Sequence, residues 1–324
     1  MATPTYFTPE KKSDSDRPLP SPARSSKRQV YTDPNFFKTV DEHVTSVAKV
    51  GYRTFRDLIW NLVFKKNFDE LQTARAVFRW VTLKKFHNYT FDGMRANSPD
   101  AILQGFKQGI TAHSRALECL ATHAGLHCVV LSGWAKAGAN YKLGAPFTTR
   151  LANHSWNAIY INGSWRLMES HWAQRGNSEY DDWFFMPDAN QFIYSHFPED
   201  PKWQLSSQVC SKAEFDQYPS TESKFFNVGM KFLQQNQGII FTHGGVIALT
   251  LGLTNQTALI FKLKYGDERS ENFQGKPLKR RICYSGNLAK QSDLLLPGSS
   301  QWRLLPHYLC PGRSWKFGVK RVVR

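Results

Sequence analysis

The stretch GITAHSRALECLATHAGLHCVVLSG, residues 109–133, decides the fold of the central part of this chain. Its pattern predicts a turn, then a helix from near Thr111 to near Ala124, then a buried strand that begins at Cys128. Gly125 follows the helical pattern at the place where glycine commonly ends a helix. In many thiol enzymes such a turn carries the nucleophilic cysteine, because a helix N-terminus favours a thiolate. Here that turn holds Thr111.

The segment NHSWNAIYINGSWRLMES, residues 153–170, predicts two antiparallel strands. The dipeptide Asn162-Gly163 is the strongest short signal of a hairpin turn, since both residues tolerate positive φ. With these two residues as the loop, Ile161 pairs with Ser164.

Counting outward from that turn places His154 opposite the region of Ser170, with Glu169 one place away. A bulge or a small shift of register would make His154 and Glu169 neighbours on one face of the hairpin. A histidine that takes a proton, and an acid that holds its tautomer, are two of the three groups that a nucleophilic hydrolase or acyltransferase needs. The candidate catalytic positions are therefore Thr111, His154 and Glu169.

Composition divides the chain of 324 residues into three parts. Residues 1–32 are rich in Pro, Ser, Lys and Asp without apolar periodicity, which predicts a disordered N-terminal arm. Residues 33–218 carry helical patterns first and hairpin strands afterwards, which predicts an α+β domain. Residues 219–324 alternate short strand patterns with turns, which predicts a β-sandwich-like domain. The chain ends WKFGVKRVVR without an obvious cap, which leaves open whether this domain is complete.

Apolar residues at helical spacing predict a set of amphipathic helices before the central stretch. The segments are DPNFFKTVDEHVTSVAK (33–49), RTFRDLIWNLVF (53–64), DELQTARAVFRWVTLKKFHNY (69–89) and DAILQGF (100–106).

The formal net charge of +16 lies mostly in the last third of the chain. Residues 219–324 carry 16 Lys and Arg against five Asp and Glu. Such asymmetry indicates an acidic partner or surface, or simply a solvated basic face. No motif of a nucleic-acid-binding module accompanies the charge, so we expect no nucleic-acid partner.

Five scattered cysteines favour reduced thiols over a disulfide framework, and with them a cytoplasmic protein. The N-terminus has no apolar segment of the secretory type. No uncharged apolar run reaches the roughly 18 residues of a membrane span, so we expect no transmembrane segment.

The central stretch resembles the first motif of the transglutaminase-like superfamily of papain-type thiol enzymes, and within it the kyphoscoliosis peptidase and hillarin group. That motif opens with glycine, an apolar residue and cysteine at the start of a helix. Gly109 and Ile110 match it, and Thr111 stands at the cysteine position. The following glycine and aromatic residue are replaced by Ala112 and His113.

Two further motifs of this family match the hairpin. The motif His-x-Trp-Asn stands intact from His154 to Asn157. The third motif carries an aspartate shortly before a tryptophan, and here LMESHW has Glu169 before Trp172.

The resemblance covers roughly residues 33–218 well and extends less surely through the β-rich remainder. It implies a papain-like or transglutaminase-like core followed by a β-sandwich-like domain. It also implies a cytoskeletal setting, with protein partners such as actin crosslinkers of the filamin kind, and no cofactor. Because the cysteine position holds Thr111, the chain is predicted to be a catalytically inactive scaffold or interaction module. The alternative is an active peptidase or acyltransferase that uses Thr111 with His154 and Glu169.

Each candidate residue also has a structural explanation. Threonine is a good N-cap, so Thr111 can cap the helix by accepting a bond from a free N–H of its first turn. His154 and Glu169 can be a retained structural pair. Ser114 lies one turn from Thr111 and can face the cleft, while Cys119 lies about two helical turns on and is predicted to pack in the core. Cys119, His123, His127 and Cys128 match no common zinc spacing, so no metal site is predicted.

Overall fold

The structure, a computed structural model, describes residues 11–136, 141, 147, 151–175, 179–227, 229–233, 237–242, 247–249, 251–252, 258–265, 302–304 and 313–323. The helices are α1 (Lys27–Val30), α2 (Lys38–Ala48), α3 (Phe55–Leu62), α4 (Glu70–Thr82), α5 (Pro99–Gln108), α6 (His113–His123), α7 (Ser170–Ala173), α8 (Ala189–Phe192), α9 (Lys212–Gln217) and α10 (Ser223–Asn227).

The strands are β1 (Cys128–Ala135), β2 (His154–Ile161), β3 (Ser164–Met168), β4 (Gln174–Arg175), β5 (Glu179–Tyr180), β6 (His196–Pro198), β7 (Lys231–Phe232), β8 (Ile239–Thr242), β9 (Ile247–Leu249), β10 (Leu251–Gly252), β11 (Ala258–Tyr265), β12 (Trp302–Leu304) and β13 (Arg313–Val323). Short 3₁₀ turns occupy Pro34–Phe37, Phe64–Lys66, Lys84–Phe86, Asp182–Phe184 and Pro201–Gln204.

The chain forms two compact units that interleave along the sequence. The first unit comprises Met1–Trp134, Leu151–Phe192 and Pro198–Val209. The second comprises Ala135–Arg150, Ile193–Phe197 and Cys210–Arg324. The sequence predicts one boundary after residue 218, whereas two short earlier segments group with the second unit.

Helix α4 lies at the centre of the first unit. It packs against α2, α6 and β2. Its start is fixed by a capping box in which the Asp69 side chain accepts from Gln72 N and the Gln72 side chain accepts from Asp69 N. Val77 and Phe78 of this helix are completely buried. Helix α4 thus packs against both helices and sheet.

Helix α5 is defined at both ends and leads into the central stretch. Ser98 caps its start by accepting from Ala101 N, and Pro99 follows at the first helical position. Gly109 ends it with φ 81°, a left-handed conformation that favours glycine. The chain then turns and begins α6 at His113.

Strands β1, β2 and β3 form an antiparallel sheet in the first unit. The register of β2 and β3 pairs Ile161 with Ser164, as the hairpin pattern predicts. Asn162 and Gly163 have φ 48° and 77°, so both turn residues lie in the left-handed region. The predicted hairpin is therefore confirmed.

The N-terminal arm has defined contacts from residue 11 onward, against the prediction of disorder for residues 1–32; residues 1–10 lie outside the described part. The Trp165 indole N–H donates to the carbonyls of Pro18 (3.2 Å) and Leu19 (3.1 Å). The Arg166 guanidinium donates to the carbonyl and the hydroxyl of Ser25 at 2.5 and 2.6 Å. The prediction is wrong for these residues because their partners lie about 140 positions away along the chain, which local composition does not reveal.

The described part of the second unit contains short antiparallel strands, as residues 219–324 predict. β7 pairs with β10, β9 pairs with β12, and β13 lies between β8 and β11. Among the described residues of the whole chain, no helix combines the length and apolarity that a membrane span requires.

Candidate active site

His154 and Glu169 form a buried hydrogen-bonded pair in the first unit. The distance from His154 Nε2 to Glu169 Oε2 is 2.6 Å, and the two side chains are 14% and 1% exposed. The second carboxylate oxygen of Glu169 accepts from the backbone N–H groups of His171 and Trp172, at 2.8 and 3.1 Å. A carboxylate that accepts three N–H bonds is held rigidly, and it holds the imidazole with its proton on Nε2.

Glu169 reaches His154 from a position that differs from the predicted one. Strand β3 ends at Met168, which pairs with Asn157. Glu169 is the N-cap of α7 instead of a strand residue, and its backbone N–H donates to Phe184 O at 3.0 Å. No bulge within the β2–β3 ladder is required, because the chain has already left the strand at this residue.

Thr111 does not cap α6, so that structural explanation is wrong. The N-cap is Ala112, and no side-chain hydrogen bond caps the helix. The Thr111 backbone N–H donates to Gly105 O at 3.1 Å. A Cβ atom added to Gly105 would lie 2.5 Å from Thr111 Oγ1. The Thr111 hydroxyl therefore lies against α5, and among the described residues no hydrogen bond joins it to His154.

Asn157 ties the start of α6 to the sheet. It is completely buried, and its Nδ2 donates to the carbonyls of Ser114 (2.9 Å) and Val129 (3.3 Å). Ser114 is 3% exposed and its hydroxyl bonds to that of Ser155 at 2.8 Å. Side chains alternate along β2, so Ser155 points to the face opposite His154. Ser114 is thus engaged away from the His154 imidazole.

The cysteines of the first unit are core residues, as predicted. Cys119 is 4% exposed and Cys128 is 3% exposed. Burial raises the pKa of the Cys119 thiol to about 12 and that of Cys128 well above its usual range. Neither thiol is ionised at neutral pH.

Two histidines of this region, His171 and His113, were not recognised as site residues from the sequence. The His171 ring centroid lies 5.8 Å from that of His154 and 4.8 Å from that of His113. The Trp172 ring lies 5.5 Å from His154. His113 Nε2 is 2.9 Å from Gln174 Oε1. An exact count outward from the pair Ile161–Ser164 reaches His171 opposite His154, one residue beyond the Ser170 region that the sequence reading gave.

His113 and His171 both have a pKa below that of a free histidine. Burial lowers the pKa of His113 to about 4, and its hydrogen bond to Gln174 opposes this only in part. Burial also lowers the pKa of His171, although the Glu169 carboxylate opposes the shift. Both imidazoles are therefore neutral at pH 7.

The comparisons with known proteins agree with the motifs. A family model described as a KY-like, immunoglobulin-like domain matches residues 212–292. Hillarin of Drosophila melanogaster is 34% identical in an alignment of 299 residues that covers 84% of this chain and 36% of that protein. The Lim and transglutaminase domain protein ltd-1 of Caenorhabditis elegans is 32% identical in an alignment of 291 residues that covers 83% of this chain and 40% of that protein. Kyphoscoliosis peptidase of Mus musculus is 27% identical in an alignment of 256 residues that covers 74% of this chain and 37% of that protein.

The chain spans less than half the length of these relatives. Its fold is mixed helix and sheet with an immunoglobulin-like domain. These relatives align with most of this chain, and the matching domain model is described as KY-like. The chain belongs to the kyphoscoliosis peptidase and hillarin group.

Proposed function

We propose that this chain is a catalytically inactive transglutaminase-like module that acts through protein binding in a cytoskeletal setting in the cytoplasm. Residues 33–218 form its papain-like or transglutaminase-like core in this proposal. Its partners are proteins of the cytoskeleton, such as actin crosslinkers of the filamin kind.

The position of Thr111 carries the proposal. In a thiol enzyme of this architecture, the nucleophile at the start of the helix is bonded to the histidine. Here the hydroxyl of Thr111 lies against Gly105, at 2.5 Å from the place of a Cβ atom there. His154 is bonded to Glu169 at 2.6 Å. The pairing of His154 with Glu169 and the placement of the Thr111 hydroxyl against α5 both support the proposal.

The chemistry of the hydroxyl supports the same conclusion. A cysteine thiol has a pKa near 8.5, and a helix N-terminus can lower it below 7. An aliphatic hydroxyl ionises many pH units higher, and threonine nucleophiles usually rely on an N-terminal amine as base. Thr111 is internal, so it lacks that base. Each tenfold loss in rate corresponds to about 1.4 kcal/mol of barrier, and replacing a thiolate is expected to cost several such steps.

The test compares wild type with T111A and H154A. Purified full-length chains are assayed for hydrolysis of unstructured peptides and for transfer of glutamine acyl groups to a fluorescent amine. The proposal predicts that wild-type turnover does not exceed that of either variant. Turnover that T111A and H154A both abolish would overturn it. In a parallel binding assay with a purified filamin-type crosslinker, T111A is expected to bind as wild type does.

The alternative is an active peptidase or acyltransferase that uses Thr111, His154 and Glu169. The observation that favours it is the His154–Glu169 bond at 2.6 Å, which is the orientation a catalytic imidazole needs. T111C separates the two candidates further. If the site is competent apart from its nucleophile, T111C reacts with a thiol-directed acylating probe faster than wild type, and T111C/H154A loses that gain.

The basic segment 219–324 is a second possible contact region, for an acidic partner or surface. It carries 16 Lys and Arg against five Asp and Glu. Interactions of exposed charges are screened over about 10 Å at 0.1 M salt, so binding through this segment should weaken steeply between low and moderate salt. If binding does not change with salt concentration, the partner does not bind through the charges of segment 219–324.

A further inference from the structure

The N-terminal arm contains a segment, residues 17–22, in which every second residue is a proline. A proline fixes its own φ at about −65°, and the residue before a proline is restricted to extended conformations. The alternation of Pro18, Pro20 and Pro22 therefore restricts the backbone of this proline segment to the polyproline II type. In agreement, residues 17–23 belong to no helix, strand or turn, and no hydrogen bond joins two of them.

Trp165 of β3 binds two consecutive carbonyl groups of the proline segment. The distances from its indole Nε1 are 3.2 Å to Pro18 O and 3.1 Å to Leu19 O. The Trp165 side chain is completely buried, and a buried indole N–H requires an acceptor. Among the described residues, these two carbonyls are the acceptors that it has. The contact therefore depends on the backbone of the segment and not on its side chains.

Two half-buried aromatic rings flank Trp165. The ring centroids of Tyr160 and Trp203 lie 5.4 and 5.0 Å from that of Trp165, both in edge-to-face arrangements. These three residues and the arm all belong to the first unit. Aromatic side chains commonly line the surfaces that bind polyproline II segments. We call Trp165, Tyr160 and Trp203 the Trp165 site.

The side chains between the prolines are turned to solvent. Leu19 is 85% exposed, and Ser21 is exposed as well. What Trp165 recognises is therefore a pair of carbonyl groups on an extended backbone. Arg166 holds the arm separately, by donating to the carbonyl and the hydroxyl of Ser25. A segment of another chain with prolines at alternate positions can make the same contacts with Trp165.

We propose that the Trp165 site binds a proline-rich segment of a partner protein, which replaces the arm of this chain there. The arm shows the backbone that fits the site, and the partner segment supplies two consecutive carbonyl groups to the Trp165 indole. Because polyproline II backbone is largely preformed, little conformational entropy is lost when one such segment replaces another. The proposal goes beyond the proposed function and does not depend on it, because it requires neither an inactive catalytic site nor a cytoskeletal partner.

The test measures binding of a fluorescent synthetic peptide with the sequence of residues 14–25, DSDRPLPSPARS. The full chain is used as wild type and as P18A/P20A/P22A, the arm variant, whose own segment no longer has the preformed backbone. A tethered competitor acts at an effective concentration in the millimolar range, so the arm variant should bind the peptide at least about 10-fold more tightly than wild type. Fluorescence polarisation measures both dissociation constants.

Two altered peptides test what the site recognises. A peptide with alanine in place of Leu19 and Ser21 should bind the arm variant as the original does, since both side chains are exposed in the arm. A peptide with alanine in place of all three prolines should bind at least about 10-fold more weakly, because its backbone must be ordered on binding. Equal binding of the peptide without prolines would contradict the proposal.

W165F, in the arm variant, tests the indole donor, because it retains an aromatic ring and removes the N–H group. Loss of one hydrogen bond should weaken peptide binding by about 2-fold to 10-fold. W60F makes the same change at a half-buried tryptophan of α3 and should leave the affinity unchanged. In NMR spectra of the arm variant, addition of the peptide should shift the Trp165 indole N–H resonance, and this measurement does not require W165F to fold.

Three further outcomes would overturn the proposal. If the arm variant binds no peptide, the site accepts no segment from another chain. If the peptide binds without shifting the Trp165 indole resonance, it binds to another surface. If sedimentation shows that wild type forms a dimer that the arm variant does not form, the occupant is the arm of a second copy and not a partner protein.

Discussion

His154 and Glu169 are bonded at 2.6 Å although they do not face each other across the β-hairpin. Glu169 lies one residue beyond β3, as the N-cap of α7, and the same carboxylate accepts from two backbone N–H groups of that helix. One side chain therefore performs two tasks, because it starts a helix and orients an imidazole.

E169Q is expected to destabilise the protein. The buried carboxylate accepts three N–H bonds, and an amide replaces one of its oxygens with an NH₂ group that cannot accept. A buried donor left without its acceptor costs about 1–3 kcal/mol in the free energy of unfolding. Urea unfolding measures the effect. E42Q, at an exposed glutamate of α2, is the control and should change stability by less than about 0.5 kcal/mol. Equal stability of E169Q and wild type would contradict this account of Glu169.

G105A is expected to destabilise the protein even though alanine is normally the better helix former, by about 1 kcal/mol. An added Cβ would lie 2.5 Å from Thr111 Oγ1. Overpacking of this kind costs about 1–3 kcal/mol.

The double variant G105A/T111A removes the clash and should be more stable than G105A alone. Urea unfolding of wild type, both single variants and the double variant gives the coupling energy. If the two substitutions are simply additive, the hydroxyl of Thr111 does not lie against α5.

Mild acid is expected to destabilise the protein through His87. Burial lowers the pKa of His87 to about 3, and its ring stacks on Trp80 with centroids 3.7 Å apart. The unfolded chain has a histidine pKa near 6.5, so between about pH 6.5 and 3 it binds a proton that the folded chain excludes. This contribution to stability is complete above pH 6.5 and is lost as the pH falls.

At pH 5 the loss from His87 is at most about 2 kcal/mol in the free energy of unfolding. Urea unfolding at pH 7 and pH 5 should show a smaller loss for H87F, which retains the stacking and cannot be protonated. Part of the wild-type loss should persist, because the pKa of His113 is also lowered, to about 4. An unchanged difference between the two pH values in H87F would contradict the assignment to His87.

R166A is expected to release the N-terminal arm. The Arg166 guanidinium donates to the carbonyl and the hydroxyl of Ser25, and without it trypsin should cleave faster at Arg24 and Arg28. Limited proteolysis with mass spectrometry measures the rates. R53A removes an exposed arginine whose partner is Asp92, and it should leave cleavage of the arm unchanged. Equal rates in R166A and wild type would show that this contact does not hold the arm.

The elements of the central region were predictable because their signals are local. The apolar spacing of α4, the Asn162-Gly163 turn and Gly125 after the end of α6 each depend on a few neighbouring residues. The paired His154 and Glu169 were predictable as neighbours, although not their geometry. His171 and Gln174 were not recognised, since their importance depends on what α6 brings close to them.

The amino-acid sequence by itself determined the main helices of the first unit, the hairpin register and the turn that precedes α6, because periodicity and turn chemistry are properties of short segments. Only the tertiary structure decided that the Thr111 hydroxyl lies against Gly105, that Glu169 reaches His154 from the start of α7, and that residues 11–32 dock on distant side chains. These three facts arise from contacts between segments far apart along the chain, where packing and the pairing of buried polar groups select one arrangement among several that the local pattern allows.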